Sequence, residues 1–152
     1  GPGGFNDMKI VSNLCLGTGF PAGARVATPT FAADQKASIQ RANDSNGFGV
    51  MVRVNSSGDG YLAYVDGDTS VTFYKVVGGS TFNEITPNVG ITALGAGDTL
   101  ELRATGTSTT TLELFRNGVS VTTRTDSTAP YTSGQPGIYG NSTIDNFSAA
   151  DL

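Results

Sequence analysis

Carboxylates carry whatever catalytic potential this 152-residue chain has, because it contains no histidine and a single cysteine. Without an imidazole there is no Ser-His or Cys-His nucleophile, and the usual zinc and iron sites lose their main ligand. Carboxylates alone can still cleave a glycosidic bond if two stand about 5–5.5 Å apart for retention or about 6.5–9.5 Å for inversion. Positions i and i+2 on one strand face are roughly 6–7 Å apart, so a Glu-x-Asp pair could serve. Neither Glu84, Glu101 nor Glu113 has an acidic residue two positions away. Asp66-Gly67-Asp68 has the spacing, but a glycine between two aspartates reads as a hairpin turn. Glu101 and Glu113 could face each other from neighbouring strands, yet both alternate with leucines and read as solvated outward positions. The chain is read as a non-enzyme.

Binding chemistry is better supplied. Saccharide recognition needs an aromatic plate for the C–H face, with amides, carboxylates or arginine for the hydroxyls. The chain has 5 Tyr and 8 Phe but no Trp, and Tyr61, Tyr64, Tyr74, Tyr131 and Tyr139 are the available plates. Arg53 stands among valines and is expected to point away from a Val50/Val52/Val54 row. There it would pair with Glu101 or Glu113, or hold a ligand; Arg103 and Lys75 admit the same two readings. The candidate ligand set is therefore Arg53, Tyr61, Tyr64, Tyr74, Glu101, Arg103 and Glu113. The lone Cys15, among apolar neighbours, reads as a buried small hydrophobe.

Charge removes other partners. Nine basic residues against 13 acidic give a net charge of −4, and the cations are scattered singly. A phosphate backbone needs a basic stripe, so nucleic acid is not an expected partner. No stretch approaches the roughly 18 consecutive apolar residues of a membrane-spanning helix. Charged residues are only 14% of the chain and glycines number 21, a balance that fits neither a helical bundle nor a charged disordered tail.

The elements that must hold these residues read as strands. Val50, Val52 and Val54 alternate with Met51 and Arg53; a Ser56–Gly60 turn follows, and Tyr61 to Val65 returns. Val71 to Val77 is a β-branched and aromatic run closed by Gly78-Gly79. Leu100, Leu102 and Ala104 alternate with Glu101 and Arg103. Thr111 to Phe115 and Val119 to Thr123 flank Asn117-Gly118, the signature of a tight hairpin. Ile144 to Ala149 is the expected last strand. Against this, Phe31 to Ala42 contains good helix formers behind a Thr30 cap, and local propensity favours a helix there. Many short strands with Gly and Asn turns at roughly 8–12-residue spacing read as all-β, a sandwich or a barrel in which antiparallel sheets curl together to bury one apolar row per strand. Residues 1–4 read as a tag remnant and residues 5–152 as a single domain.

From Phe31 onward the order of phrases resembles the concanavalin A-like lectin/glucanase jelly rolls, especially small laminin-G-like modules of bacterial or phage proteins. The phrases include Gly49–Arg53 followed by Gly60-Tyr61-Leu62, Ala96-Gly97-Asp98-Thr99-Leu100-Glu101-Leu102, Leu114–Gly118, Ser133–Ile138 and Ile144-Asp145-Asn146-Phe147. The resemblance implies an all-β, two-sheet antiparallel β-sandwich (jelly roll), one sheet concave and one convex, with sugar on the concave face or its rim. It also implies a strand rather than a helix at about Lys36 to Arg41. Relatives of this kind often hold a structural calcium through an aspartate of the last strand and backbone carbonyls near the N-terminus; Asp145 falls at the position of that aspartate and Asp7 is a candidate to contribute, calcium taking 6–8 oxygens. The expected function is a non-catalytic recognition module, carbohydrate-binding or adhesive, in an extracellular, cell-surface or virion setting. Weak single sites would act through multivalency in a homo-oligomer or surface assembly. The alternative is a structural component of a phage particle working through protein contacts.

Overall fold

The structure is a computed structural model and describes residues 8–11, 14–17, 22–26, 30–42, 47–67, 69–85, 87–140 and 144–152. The strands are β1 (Met8–Val11), β2 (Leu14–Gly17), β3 (Ala22–Arg25), β4 (Gln35–Arg41), β5 (Phe48–Val54), β6 (Gly60–Val65) and β7 (Ser70–Val77). They continue with β8 (Thr81–Glu84), β9 (Val89–Gly90), β10 (Thr99–Thr105), β11 (Thr110–Arg116), β12 (Val119–Asp126), β13 (Gln135–Gly140) and β14 (Ile144–Asp151). No helix occurs among the described residues. The first sheet runs β1-β2-β14-β4-β10-β11-β12; the second runs β3-β13-β5-β6-β7-β8, with β9 also on β7. All described pairings are antiparallel.

The helix favoured by local propensity at Phe31 to Ala42 does not form, and the strand that the resemblance implies at about Lys36 to Arg41 does. β4 lies between β10 and β14, buries Ala37 and Ile39, and turns Lys36 and Gln40 outward. Two ladders and a period-2 apolar row outweigh propensities worth a few tenths of a kcal/mol per residue. The Asn-Gly hairpin forms as read, with Arg116 opposite Val119. Both turn residues have positive φ, 51° at Asn117 and 80° at Gly118, as a type I′ turn requires.

Apolar rows from β4, β10, β11 and β14 and from β5, β6, β7 and β13 fill the space between the sheets. Ala37, Ile39, Leu100, Leu102, Ala104, Leu112, Leu114 and Ile144 come from the first sheet; Phe48, Val50, Val52, Ala63, Val65, Val71, Phe73 and Ile138 come from the second. The second sheet also carries an apolar cluster on its other face. Met51, Val54, Leu62 and Val76 are buried there beneath half-buried Tyr64, Tyr74, Phe82 and Tyr139. That is why every residue of β5 is buried, where alternation in the sequence led us to expect one wet face. Phe82 on β8 and Tyr139 on β13 are separated by three strands, roughly 19 Å in a flat sheet. Their ring centroids are nevertheless 5.3 Å apart. The sheet therefore curls toward this face, which is the concave one.

Candidate functional site

The concave face is built from cross-strand rows. In one, Thr72 opposes Tyr64, Tyr64 opposes Gly49, and Gly49 opposes Tyr139. In the next, Glu84, Tyr74, Leu62 and Met51 stand in register. Phe82 opposes Val76 in the third. Gly49 leaves a gap between two tyrosines, which lean together over it with centroids 6.1 Å apart. Tyr64 meets Tyr74 at 6.5 Å, Tyr74 meets Phe82 at 5.8 Å, and Phe82 meets Tyr139. The result is a closed circuit of four edge-to-face rings. Each such contact contributes about 0.5–1.5 kcal/mol beyond its area.

This circuit makes the concave face a platform. The hydroxyls of Tyr64, Tyr74 and Tyr139 take no hydrogen-bond partner among the described residues, and none is a buried unsatisfied atom. They face solvent. Burial pushes the Tyr139 phenol up to about 12. Burial, with Asp66 and Tyr74 adding to it, raises Tyr64 as well. Both are neutral at physiological pH, so each can donate and accept.

The seven candidate ligand residues do not converge. Tyr64 and Tyr74 are on the platform. Arg53 and Tyr61 are corrected: both are fully buried between the sheets. The cause at Arg53 is a β-bulge. Between Gln135 and Gly137 of β13 the register with β5 shifts, so that Val52 and Arg53 together oppose Pro136. Arg53 takes φ 54° and its side chain swings inward, while Val54 joins the concave cluster instead of the Val50/Val52 row. Its guanidinium donates to the carbonyl of Ala33 at 2.7 Å, to Thr110 Oγ1 at 2.7 Å and to the carbonyl of Tyr131 at 2.8 Å, with Asp34 at 3.4 Å. It pairs with neither Glu101 nor Glu113. Burial lowers its pKa, with Asp34 and Tyr61 opposing.

Tyr61 donates to Asp126 Oδ2 at 2.8 Å and accepts from the amide of Tyr131 at 2.9 Å. Its phenol rises to about 12, chiefly from burial and then from its bond to Asp126. Lys75 completes the cluster internally, 2.7 Å from Asp126 and bonded to the carbonyls of Thr128 and Ala129. Tyr131, with its ring 5.3 Å from Tyr61, gives its hydroxyl to the carbonyl of Val76.

Glu101, Arg103 and Glu113 lie on the outward face of the first sheet, away from the platform. Arg103 Nε is 2.6 Å from Glu101, Lys36 is 3.5 Å from it, and Arg103 sits 3.9 Å over the Phe115 ring. The register puts Arg103, not Glu101, opposite Glu113, whose carboxylate accepts from Ser120 at 2.6 Å. A cation between the two glutamates and a salt-bridged surface is no arrangement for acid–base cleavage. Asp145 accepts the amide of Asn146 at 2.8 Å, beside a bulge in β14. Asp7 and residues 1–4 lie outside the described residues. No group of three or more His, Cys, Asp or Glu side chains that could hold a metal occurs among the described residues; the expected calcium set of two carboxylates and backbone carbonyls includes Asp7 and so lies partly outside them.

Phe82 escaped the sequence reading, and Tyr139 was only one of five plates. The signal for Phe82 was the Gly78-Gly79 turn after Val71–Val77: a returning strand of alternating Thr81-Phe82-Asn83-Glu84 must place one residue type on the same face as Tyr74 and Val76.

Two acidic groups set the pH response. Asp98 has its pKa lowered by Asn117, the Gly95 amide and Arg116, against some desolvation. Burial pushes Asp126 upward, but Lys75, Tyr61 and the Thr128 amide outweigh it and leave it below normal. A depressed folded-state pKa gives stability that is present above the unfolded value, about 3.9, and is lost as pH falls through the folded value. Urea titrations should show stability level near neutrality and falling below about pH 4, with a shallower acid limb in Asp98→Asn. Tyr61 and Tyr139 act in the opposite sense: their contribution is full below about pH 10 and is lost as pH rises toward 12. An acid limb unchanged by Asp98→Asn would contradict the assignment.

No family model matches the sequence, and no curated protein matches it. Solved structures do resemble it. Sheep galectin-11, in complex with glycerol, aligns with a TM-score of 0.59 at 14% identity, covering 85% of this chain and 96% of that one. A galectin of Caenorhabditis elegans gives 0.57 at 14% identity over 92% and 96%. A legume lectin-like domain from Entamoeba histolytica gives 0.56 at 11% over 97% and 88%, and a human SPRY domain 0.54 at 12% over 94% and 96%. The likeness at these identities is one of fold: a concanavalin A-like jelly roll.

Proposed function

We propose that this jelly roll is a non-catalytic recognition module that binds carbohydrate on its concave face. The observation that carries the reading is the circuit of Tyr64, Tyr74, Phe82 and Tyr139, an apolar platform rimmed by three solvent-facing phenols. Apolar rings receive the C–H face of a pyranose, and neutral phenols exchange hydrogen bonds with its hydroxyls. The resemblance to galectins and a lectin-like domain supports the same ligand class. The carboxylates of Glu101, Asp98 and Asp126 are engaged by cations of the chain itself, which supports binding without cleavage. A platform without tryptophan or a free cation gives weak single-site affinity, and display in several copies at a cell or virion surface would compensate.

The test is a glycan array followed by calorimetry on the best neutral oligosaccharide. Tyr74→Ala should weaken binding about tenfold, the size of one aromatic contact. Glu101→Gln and Glu113→Gln, on the opposite face, should change nothing. Binding that survives Tyr74→Ala and disappears with Glu101→Gln would overturn the assignment.

A further inference from the structure

Beside the platform, on the other side of β8, a cleft of about 400 Å³ opens between the edges of the two sheets. Its walls are Asn83 and Glu84 of β8, the apolar Ile85 just after it, Thr125 of β12 and Thr128 just beyond β12; its floor is the Lys75–Asp126 pair. The wall side chains make no hydrogen bond with other described residues. Lys75 is different: its three N–H groups are committed to Asp126 and to the carbonyls of Thr128 and Ala129. The cleft thus offers an amide and two hydroxyls, with the carboxylate of Glu84 at its rim on the platform side of β8 and no cation to spare. It fits a ligand rich in hydrogen-bond donors and repels an anionic one.

The cleft is continuous with the platform. Phe82 and Glu84 lie on one face of β8, roughly 6–7 Å apart, and Glu84 stands opposite Tyr74 in register. Asn83, between them, turns to the cleft side opposite Lys75. β8 is a four-residue edge strand, so a chain-like ligand can pass around it without meeting another strand.

Resting on the carbohydrate reading above, we infer that the ligand is a neutral oligosaccharide that runs from the aromatic platform over the β8 edge into this cleft, where Asn83, Glu84 and Thr128 select its next unit. Platform and cleft together make a site longer than one sugar. Affinity therefore rises with chain length, and acidic units are rejected by the unpaired carboxylate of Glu84, since the Lys75–Asp126 pair leaves no cation to receive them.

The experiment is calorimetry with neutral cello-, malto- and galacto-oligosaccharides of one to six units, together with an oligogalacturonide, on the parent chain and on Asn83→Ala/Thr128→Ala and Tyr74→Ala. Asn83 and Thr128 are exposed, so the double variant should melt with the parent. The expected result is affinity that increases beyond one unit in the parent, about five- to tenfold loss of that increase in the double variant as two hydrogen bonds disappear, and no oligogalacturonide binding. Tyr74→Ala should weaken every length alike. If Tyr74→Ala weakens binding but the double variant keeps the full length dependence, the cleft is refuted and the platform stands. Tight oligogalacturonide binding would also refute the cleft. If no saccharide in the panel binds the parent, platform and cleft are both refuted.

Discussion

Replacing Arg53 by leucine is expected to cost about 3–5 kcal/mol of folding stability, in the range for breaking a buried charged network. Its side chain is completely shielded and holds three separate pieces of chain: the carbonyl of Ala33 before β4, Thr110 at the start of β11, and the carbonyl of Tyr131 in the segment leading to β13. Leucine fills part of the volume but takes the guanidinium donor from the carbonyl of Ala33 and from Thr110 Oγ1, and leaves the carbonyl of Tyr131 with only the 3.3 Å bond from the Thr110 hydroxyl; a lost donor costs about 1–3 kcal/mol where water cannot reach. It would also leave a non-glycine residue at φ 54° held only through its backbone, by the amide bond to Gln35 Oε1 at 3.0 Å. For a domain of this size the midpoint of thermal unfolding should fall by about 8–16 °C. Arg53→Lys should recover less than half of the loss, because one ammonium cannot reach acceptors set around a planar fork. Saccharide affinity of the folded fraction should be unchanged. An Arg53→Leu variant that keeps its stability while losing ligand would reverse the assignment and return Arg53 to the binding surface.

Substituting Gly49 by valine should be nearly as severe, and through the other face of the same strand. A Cβ there would lie 2.5 Å from Leu62 Cδ1, 2.6 Å from the carbonyl oxygen of Ala63 and 3.1 Å from the Cα of Tyr64. Two of those three atoms are backbone in a central strand, so the clash cannot be relieved by a rotamer change. Overpacking of this kind costs about 1–3 kcal/mol or more; alanine should sit at the lower end and valine beyond it. The added methyls also fill the gap across which Tyr64 and Tyr139 meet, so the near-ultraviolet circular dichroism of the tyrosines should collapse even in molecules that remain folded. Urea denaturation and that spectrum check the two effects separately. A Gly49→Val protein with parental stability and an unchanged tyrosine spectrum would show that the rings do not depend on the glycine beneath them.

These two positions mark how far the sequence could be read. β10 and the β11–β12 hairpin were legible because their information is local: Leu100, Leu102 and Ala104 alternate with polar neighbours, and Asn117-Gly118 accepts the positive φ that a two-residue turn demands. Tyr64 and Tyr74 were legible as aromatic plates, but not their partnership with Phe82, which is set by the curl of the second sheet. Phe31 to Ala42 shows the limit from the other side: its residues favour a helix in isolation, and only the ladders to β10 and β14 make β4 a strand.

Alternation and turn chemistry determined an all-β chain, a sandwich or a barrel, and composition alone excluded histidine-based chemistry from this sequence, since each of these acts through a few neighbouring residues or through residue counts. Which side of a strand a residue faces is also local until a bulge intervenes. One extra residue opposite Pro136 sent Arg53 into the interior and Val54 to the concave face. The tertiary structure alone decided where the chemistry lies, because ring contacts such as Phe82 with Tyr139 depend on how far a whole sheet bends, and bending is a property of many strands packed together.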